Sequence, residues 1–194
     1  FWLYRKSRLN YYGMTALLAR VYLYKGDKTK ALECAKEVID AKKFTLLEES
    51  QLVKDKTWGS LCSENEYISS LYVYNMEEGR SDMFFGEESS VQCHISDTRR
   101  PLLKLSEMYL IAAEASGDKG YLQTLRDHRG YVNYPLEENC DLAAEIEAEY
   151  RKEFMAEGQL FYYYKRLDYK TLPDMGVVMT GNYVFPMPDD EMEF

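Results

Sequence analysis

With 194 residues, 46% of them hydrophobic, the chain holds enough apolar material for one good-sized domain or two small ones. Its net charge of −9 comes with no block of Lys and Arg to neutralise phosphates, which argues against nucleic acid as the main partner. The longest apolar stretch, near Ala16, is broken by Arg20 and Lys25, short of the roughly 20 apolar residues a membrane helix needs.

The chain opens on Phe1-Trp2-Leu3-Tyr4-Arg5-Lys6, which has neither an initiator Met nor the order of a signal peptide, so a preceding N-terminal portion is expected. From Asn10 to Tyr24, Met14, Leu17, Leu18, Val21 and Tyr22 recur at helical spacing and predict an amphipathic helix with that stripe inward. On this reading Leu18 is core, and Leu18→Ala is expected to cost on the order of 2–5 kcal/mol. Gly26 ends the helix and Asp27 caps the next, Lys28 to Lys43, whose inner face is Ala31, Ala35, Val38 and Ile39. The two must pack antiparallel, with Ala19 and Ala31 where they come closest. Leu18, Ala19, Tyr22, Gly26 and Ala31 resemble the tetratricopeptide pattern, whose period is about 34 residues.

Between Phe44 and Arg100 the helical period fades. Tyr67 to Tyr74 reads as a strand rich in aromatic and β-branched residues, and the remainder, rich in Gly, Ser, Asp and Glu, reads as long loop of the kind that carries function. Helical spacing returns with Leu102, Leu105, Tyr109, Ala112 and Ala113, stops at Ser116-Gly117-Asp118, and resumes through Tyr121, Leu122, Leu125 and His128, predicting a second, shortened hairpin over 102–129. After a loop from Tyr131 to Asn139, a long helix is expected over about Leu142 to Leu160, with Leu142, Ile146, Tyr150 and Phe154 on one stripe. The tail, with Pro173, Pro186 and Pro188, should be extended.

The residues that could carry chemistry have ordinary readings beside the functional ones. Four Cys at 34, 62, 93 and 140 form no Cys-x-x-Cys pair, and Cys34 falls on the inner face of a helix, which disfavours a zinc framework or disulfide scaffold. Glu153 and Glu157 lie at i and i+4 with Arg151, Lys165 and Arg166 nearby, a spacing for charge pairs along a helix and not for two carboxyls across a glycosidic bond. His94 beside Cys93, and Asp82 with Glu87 and Glu88, lack the spacing of a nucleophile pair or of a calcium loop.

Aromatics are the compositional signal: 18 Tyr stand against 8 Phe and 2 Trp, more phenols than a core needs. Sugar recognition wants flat rings for C–H faces and polar groups for hydroxyls. Loop positions that meet this are Trp58, Phe84 and Phe85 with Arg80, and Tyr131 and Tyr134 flanking Asn133. For any one ring alone, anchoring of its loop is the stronger reading.

Four stretches together resemble the RagB/SusD family of outer-membrane nutrient-binding lipoproteins. They are Arg8-Leu9-Asn10-Tyr11-Tyr12 through Gly26-Asp27 to Ile39; Arg100-Pro101-Leu102-Leu103 with Glu107 to Ala115; Ile146, Arg151, Glu153-Phe154, Ala156-Glu157-Gly158-Gln159, Phe161-Tyr162 and Lys165-Arg166-Leu167; and Tyr183-Val184-Phe185-Pro186-Met187-Pro188 with Glu191. The resemblance implies a mainly α fold of tetratricopeptide-like hairpins with a long irregular insertion, 44–100, containing minor β structure, within a single SusD-like domain over 1–194. It implies surface binding of oligosaccharide or peptide nutrients and delivery to a SusC-like TonB-dependent transporter, with no cofactor and no catalysis. It also implies a lipid anchor in the expected N-terminal portion, outside this chain. The alternative class is a helix-repeat adaptor that binds protein and no small molecule.

Overall fold

The computed structural model describes residues 9–48, 65–72, 99–154, 157–172, 176–179 and 183–184. It is mainly helical with one small sheet, and divides into two compact units, Phe1–Glu149 and Tyr150–Phe194.

In the first unit α1 (Tyr11–Lys25) and α2 (Lys28–Asp40) form a helical hairpin, and α3 (Leu105–Ser116) with α4 (Lys119–Arg126) forms another. The same Gly-Asp punctuation makes both turns. Gly26 and Gly117 end their helices at φ +85° and +71°, a left-handed region open to glycine at little cost, and the next Asp caps the following helix. Asp27 accepts from the Lys30 amide at 3.2 Å and Asp118 from that of Gly120 at 2.8 Å. At the start of α1, Asn10 accepts from the Gly13 amide at 3.0 Å. The α1–α2 pair is antiparallel, as the sequence predicts: the Tyr11 hydroxyl, in the first turn of α1, donates to Glu37 in the last turns of α2.

Small residues bring these helices together. Ala16 and Ala19 of α1 and Ala31 and Ala35 of α2 are fully buried, and α2 in turn packs on α3, where Met108, Ile111 and Ala112 are buried. The predicted inner face of α2 is observed at Ala31, Ala35 and Val38, with Ile39 at its margin and Cys34 only half-buried. Partial burial still pushes the Cys34 thiol pKa up, with Glu37 and Glu33 adding to the shift.

The predicted inner face of α1 is corrected. Met14, Leu18 and Val21 are exposed, Leu18 at 41%, and the buried residues are Gly13, Thr15, Ala16, Ala19 and Leu23. The helix is apolar almost all round, so periodicity could not choose a face. Packing chose the side whose small side chains allow the closest approach to α2 and α3. Arg20 reaches inward from this side, donating from Nε and Nη2 to the two oxygens of Glu107, each at 2.6 Å, and from Nη2 to the Leu102 carbonyl at 2.8 Å.

The strand predicted from Tyr67 is observed as β1 (Tyr67–Tyr72), and Val73 and Tyr74 lie outside the described residues. It pairs antiparallel with β2 (Arg99–Lys104), Tyr67 opposite Lys104 and Ser70 opposite Pro101, with register shifts on both sides of Ser69. The sequence reading carried helix back to Leu102. Pro101 argues otherwise, because it biases Arg100 to extended backbone and fits an edge strand.

The expected continuous helix over 142–160 is corrected. The helix α5 (Leu142–Glu153) stops, Gly158 takes φ +76°, and α6 (Gln159–Arg166) starts afresh. What the second unit, from Tyr150, buries among the described residues is largely tyrosine: the Tyr150 ring centroid lies 4.5 Å from that of Tyr163 and 5.3 Å from that of Phe154, and Tyr164 lies 5.1 Å from Tyr169. The Tyr183 hydroxyl donates to the Tyr169 carbonyl at 2.8 Å, and Lys165 Nζ donates to the Tyr183 carbonyl at 2.8 Å. Among the described residues, no helix is long and apolar enough to cross a membrane.

The exposed placement of Leu18 gives a direct stability test. Leu18→Ala is expected to change unfolding free energy by less than about 1 kcal/mol, whereas Ala19→Leu overpacks the helix contact and should cost about 1–3 kcal/mol. Urea denaturation of the two variants measures both.

Candidate functional site

The end of α4 is unusual. After Arg126 the helix widens into a π-helical turn, Asp127–Tyr131, in which Gly130 takes φ +88°, the left-handed backbone that ends a helix. One side chain pins both sides of the loop that follows: Gln123 Nε2 donates to Asp127 at 2.7 Å, and Gln123 Oε1 accepts from the Leu136 amide at 2.7 Å. The Tyr134 amide donates to the Tyr131 carbonyl at 2.9 Å, closing a tight turn over 131–134. Farther along, Lys119 Nζ donates to the Glu137 carbonyl at 3.1 Å, beside a hollow lined by Asp118, Lys119, Glu138, Cys140 and Leu142.

The turn presents an aromatic corner. The Tyr131 and Tyr134 rings stand 6.5 Å apart at 70° to one another, with Val132 and Asn133 exposed between them. Tyr134 is 68% exposed, which sets aside anchoring as the role of that ring. Tyr131 is held from behind: the Arg126 guanidinium lies 5.3 Å from its ring centroid, and Arg126 Nη1 donates to Glu145 at 2.7 Å. Arg126 Nε is buried and donates to no acceptor. Two rings at an angle, two phenols and a primary amide can meet the flat C–H faces and the hydroxyls of a sugar. Among the described residues, no group of three or more His, Cys, Asp and Glu could hold a metal ion.

Beneath the corner lies a buried ion pair. Arg129, in the π-helical turn, donates from Nη1 to Glu66 Oε1 at 3.0 Å and from Nη2 to Glu66 Oε2 at 3.1 Å, and the two side chains are 4% and 0% exposed. The Leu47 amide also donates to Glu66 Oε1, while the Leu47 carbonyl accepts from Arg129 Nη1 at 3.1 Å. The Glu66 carbonyl accepts from the Leu105 amide at 2.9 Å. The carboxylate and the guanidinium therefore join the segment after α2, the approach to β1 and the turn that carries the corner, and the Glu66 backbone adds the start of α3. His128 adds a rim contact, its Nδ1 3.1 Å from Glu48 Oε1.

Of the ligand-binding residues expected from sequence, Tyr131, Asn133 and Tyr134 are brought together here. Trp58, Arg80, Phe84 and Phe85 lie outside the described residues, as do Cys93, His94, Asp82, Glu87 and Glu88. Sequence reasoning missed Arg126, Glu145 and the Glu66–Arg129 pair. The Arg126-to-Tyr131 spacing of five is out of phase on an α-helix and comes together through the widened turn; Gly130 was its one visible sign. Comparison of the chain with protein-family models, with curated proteins and with solved structures gives no match in any of the three.

The buried pair makes a sharp prediction. Glu66→Gln leaves the Arg129 charge uncompensated and should cost about 3–5 kcal/mol, while Glu66→Leu combined with Arg129→Met should recover much of that loss. Denaturant titration of the single and double variants measures the difference.

Proposed function

We propose that this chain is a non-catalytic, SusD-like surface binding protein that captures oligosaccharide nutrients for a SusC-like TonB-dependent transporter at the outer membrane. In this reading the two Gly-Asp hairpins are tetratricopeptide-like, and a lipid anchor attaches the protein to the membrane. The observation that carries the reading is the exposed Tyr131–Tyr134 corner flanking Asn133. Its support is physical: two exposed rings at an angle on a pinned turn offer flat apolar faces beside two hydroxyls and an amide, and pyranose C–H faces are flat and apolar while their edges are hydroxyls.

The corner favours sugar over peptide as the nutrient. Its polar groups are neutral, and the nearby guanidinium is occupied by Glu145, so little is offered to a peptide's charged ends or side chains. The four sequence stretches similar to the RagB/SusD family supply the transporter partner and the location. No cofactor enters the reading.

A glycan array with the full chain identifies a ligand, and two alanine variants then test the corner. Tyr134→Ala should weaken binding by about 1–3 kcal/mol, by analogy with stacking on flat bases, or roughly 5- to 150-fold in Kd, with the melting temperature nearly unchanged. Tyr131→Ala should weaken binding and also lower stability slightly, because its ring covers Arg126. Unchanged affinity in both variants contradicts the proposal.

A further inference from the structure

The outward half of α1 is an apolar stripe. Tyr11, Met14, Leu18 and Val21 are all exposed along it, Tyr24 is exposed beside it, and Lys25 is exposed where it ends. The spacings from Tyr11 to Lys25 are three, four, three and four, the alternation of a helix–helix seam in which knobs of one helix enter holes of another. Between Tyr11 and Val21 the only charged residue is Arg20, and it is turned inward to Glu107. A contiguous stripe of this kind on a folded surface marks a contact site, and its straight run along one helix face suits another helix as the occupant.

The ends of the stripe carry opposite charges. At one end the Tyr11 hydroxyl donates to Glu37, which is exposed on α2; at the other stands Lys25. Read along α1, the surface runs carboxylate, four apolar knobs, ammonium. This pattern is complementary to itself when reversed: a second copy laid antiparallel brings each Lys25 to the other's Glu37, with Leu18, midway between 11 and 25, on the two-fold axis. Laid parallel, Lys25 would face Lys25, which repels. A two-fold contact of this kind uses the same patch on both copies and closes on itself, so it ends in a dimer and not a fibre.

We infer that two copies of this chain pair through α1, antiparallel about a two-fold axis at Leu18, with Lys25–Glu37 pairs at both ends. The inference stands on α1 and α2 alone and is independent of the sugar-binding reading, which concerns the turn after α4.

Sedimentation velocity of the full chain over a micromolar concentration series tests it. The chain should pass from monomer to dimer, and Leu18→Glu and Val21→Lys should each raise the dimer Kd by about a hundredfold or more with melting curves like that of the parent chain. Lys25→Glu should weaken the dimer several-fold, by like-charge repulsion against Glu37, and the exchange Lys25→Glu with Glu37→Lys should restore it. Mild oxidation of Leu18→Cys should give a disulfide linking residue 18 to residue 18, mapped by mass spectrometry. A chain that stays monomeric throughout overturns the inference, including one that holds a different protein on this face. So does a dimer indifferent to Leu18→Glu and Val21→Lys, or one that Lys25→Glu weakens and the charge exchange fails to restore.

Discussion

Glu66 is fully buried, and its carboxylate is satisfied by the Arg129 guanidinium in a two-pronged contact and by the Leu47 amide. Such a pair contributes little net stability over an apolar core of the same volume, because both charges had to leave water. What it contributes is position. Either charge alone inside the fold would be strongly unfavourable, on a scale comparable with a large part of the 5–15 kcal/mol that holds a typical domain together. Conformations that separate the π-helical turn from β1 are therefore disfavoured. The aromatic corner begins two residues beyond Arg129, so this contact, together with those of Gln123 and Arg126 on α4, sets its placement.

The helical frame was legible in the sequence where local chemistry decides it. Gly26-Asp27 and Gly117-Asp118 announced both turns, and Ala31, Ala35 and Val38 announced the inner face of α2. Legibility failed where the choice belonged to tertiary packing. On α1 both faces are apolar, and the one with smaller side chains went inward, against the reading that took Leu18 as core. Gly158, left-handed at φ +76°, stands where the expectation had one continuous helix, and no α-helix runs through such a residue whatever the apolar stripe beyond it. The tyrosine surplus also divides: Tyr150, Tyr163 and Tyr164 are buried against one another in the second unit, while Tyr131 and Tyr134 stand out from the first. Composition alone could not separate packing tyrosines from presenting ones. The Glu66–Arg129 pair joins residues 63 positions apart, a distance over which sequence spacing carries no information.

The two outward surfaces of the first unit answer different chemistry. The corner combines rings with neutral polar groups and suits a ligand that is both flat and hydroxylated, whereas the α1 stripe is apolar between two opposite charges and suits a helix. If each copy in a pair presents one corner, a long glycan with repeating units can engage both, and the second contact then forms at the high effective concentration set by the first. Weak stacking on single rings becomes useful capture in that way, without any deep pocket.

The central claim is that the corner on the π-helical turn, and not the tyrosine cluster of the second unit, meets the ligand. Tyrosine-ring NMR of the full chain, titrated with soluble α-glucans, β-glucans, xylans and mannans and assigned through single Tyr→Phe variants, tests it most directly. The account predicts saturable shifts of the Tyr131 and Tyr134 ring signals with a shared Kd for at least one of these glycans, while Tyr150, Tyr163 and Tyr164 stay fixed. Saturable shifts confined to other rings, with Tyr131 and Tyr134 unmoved, would contradict it.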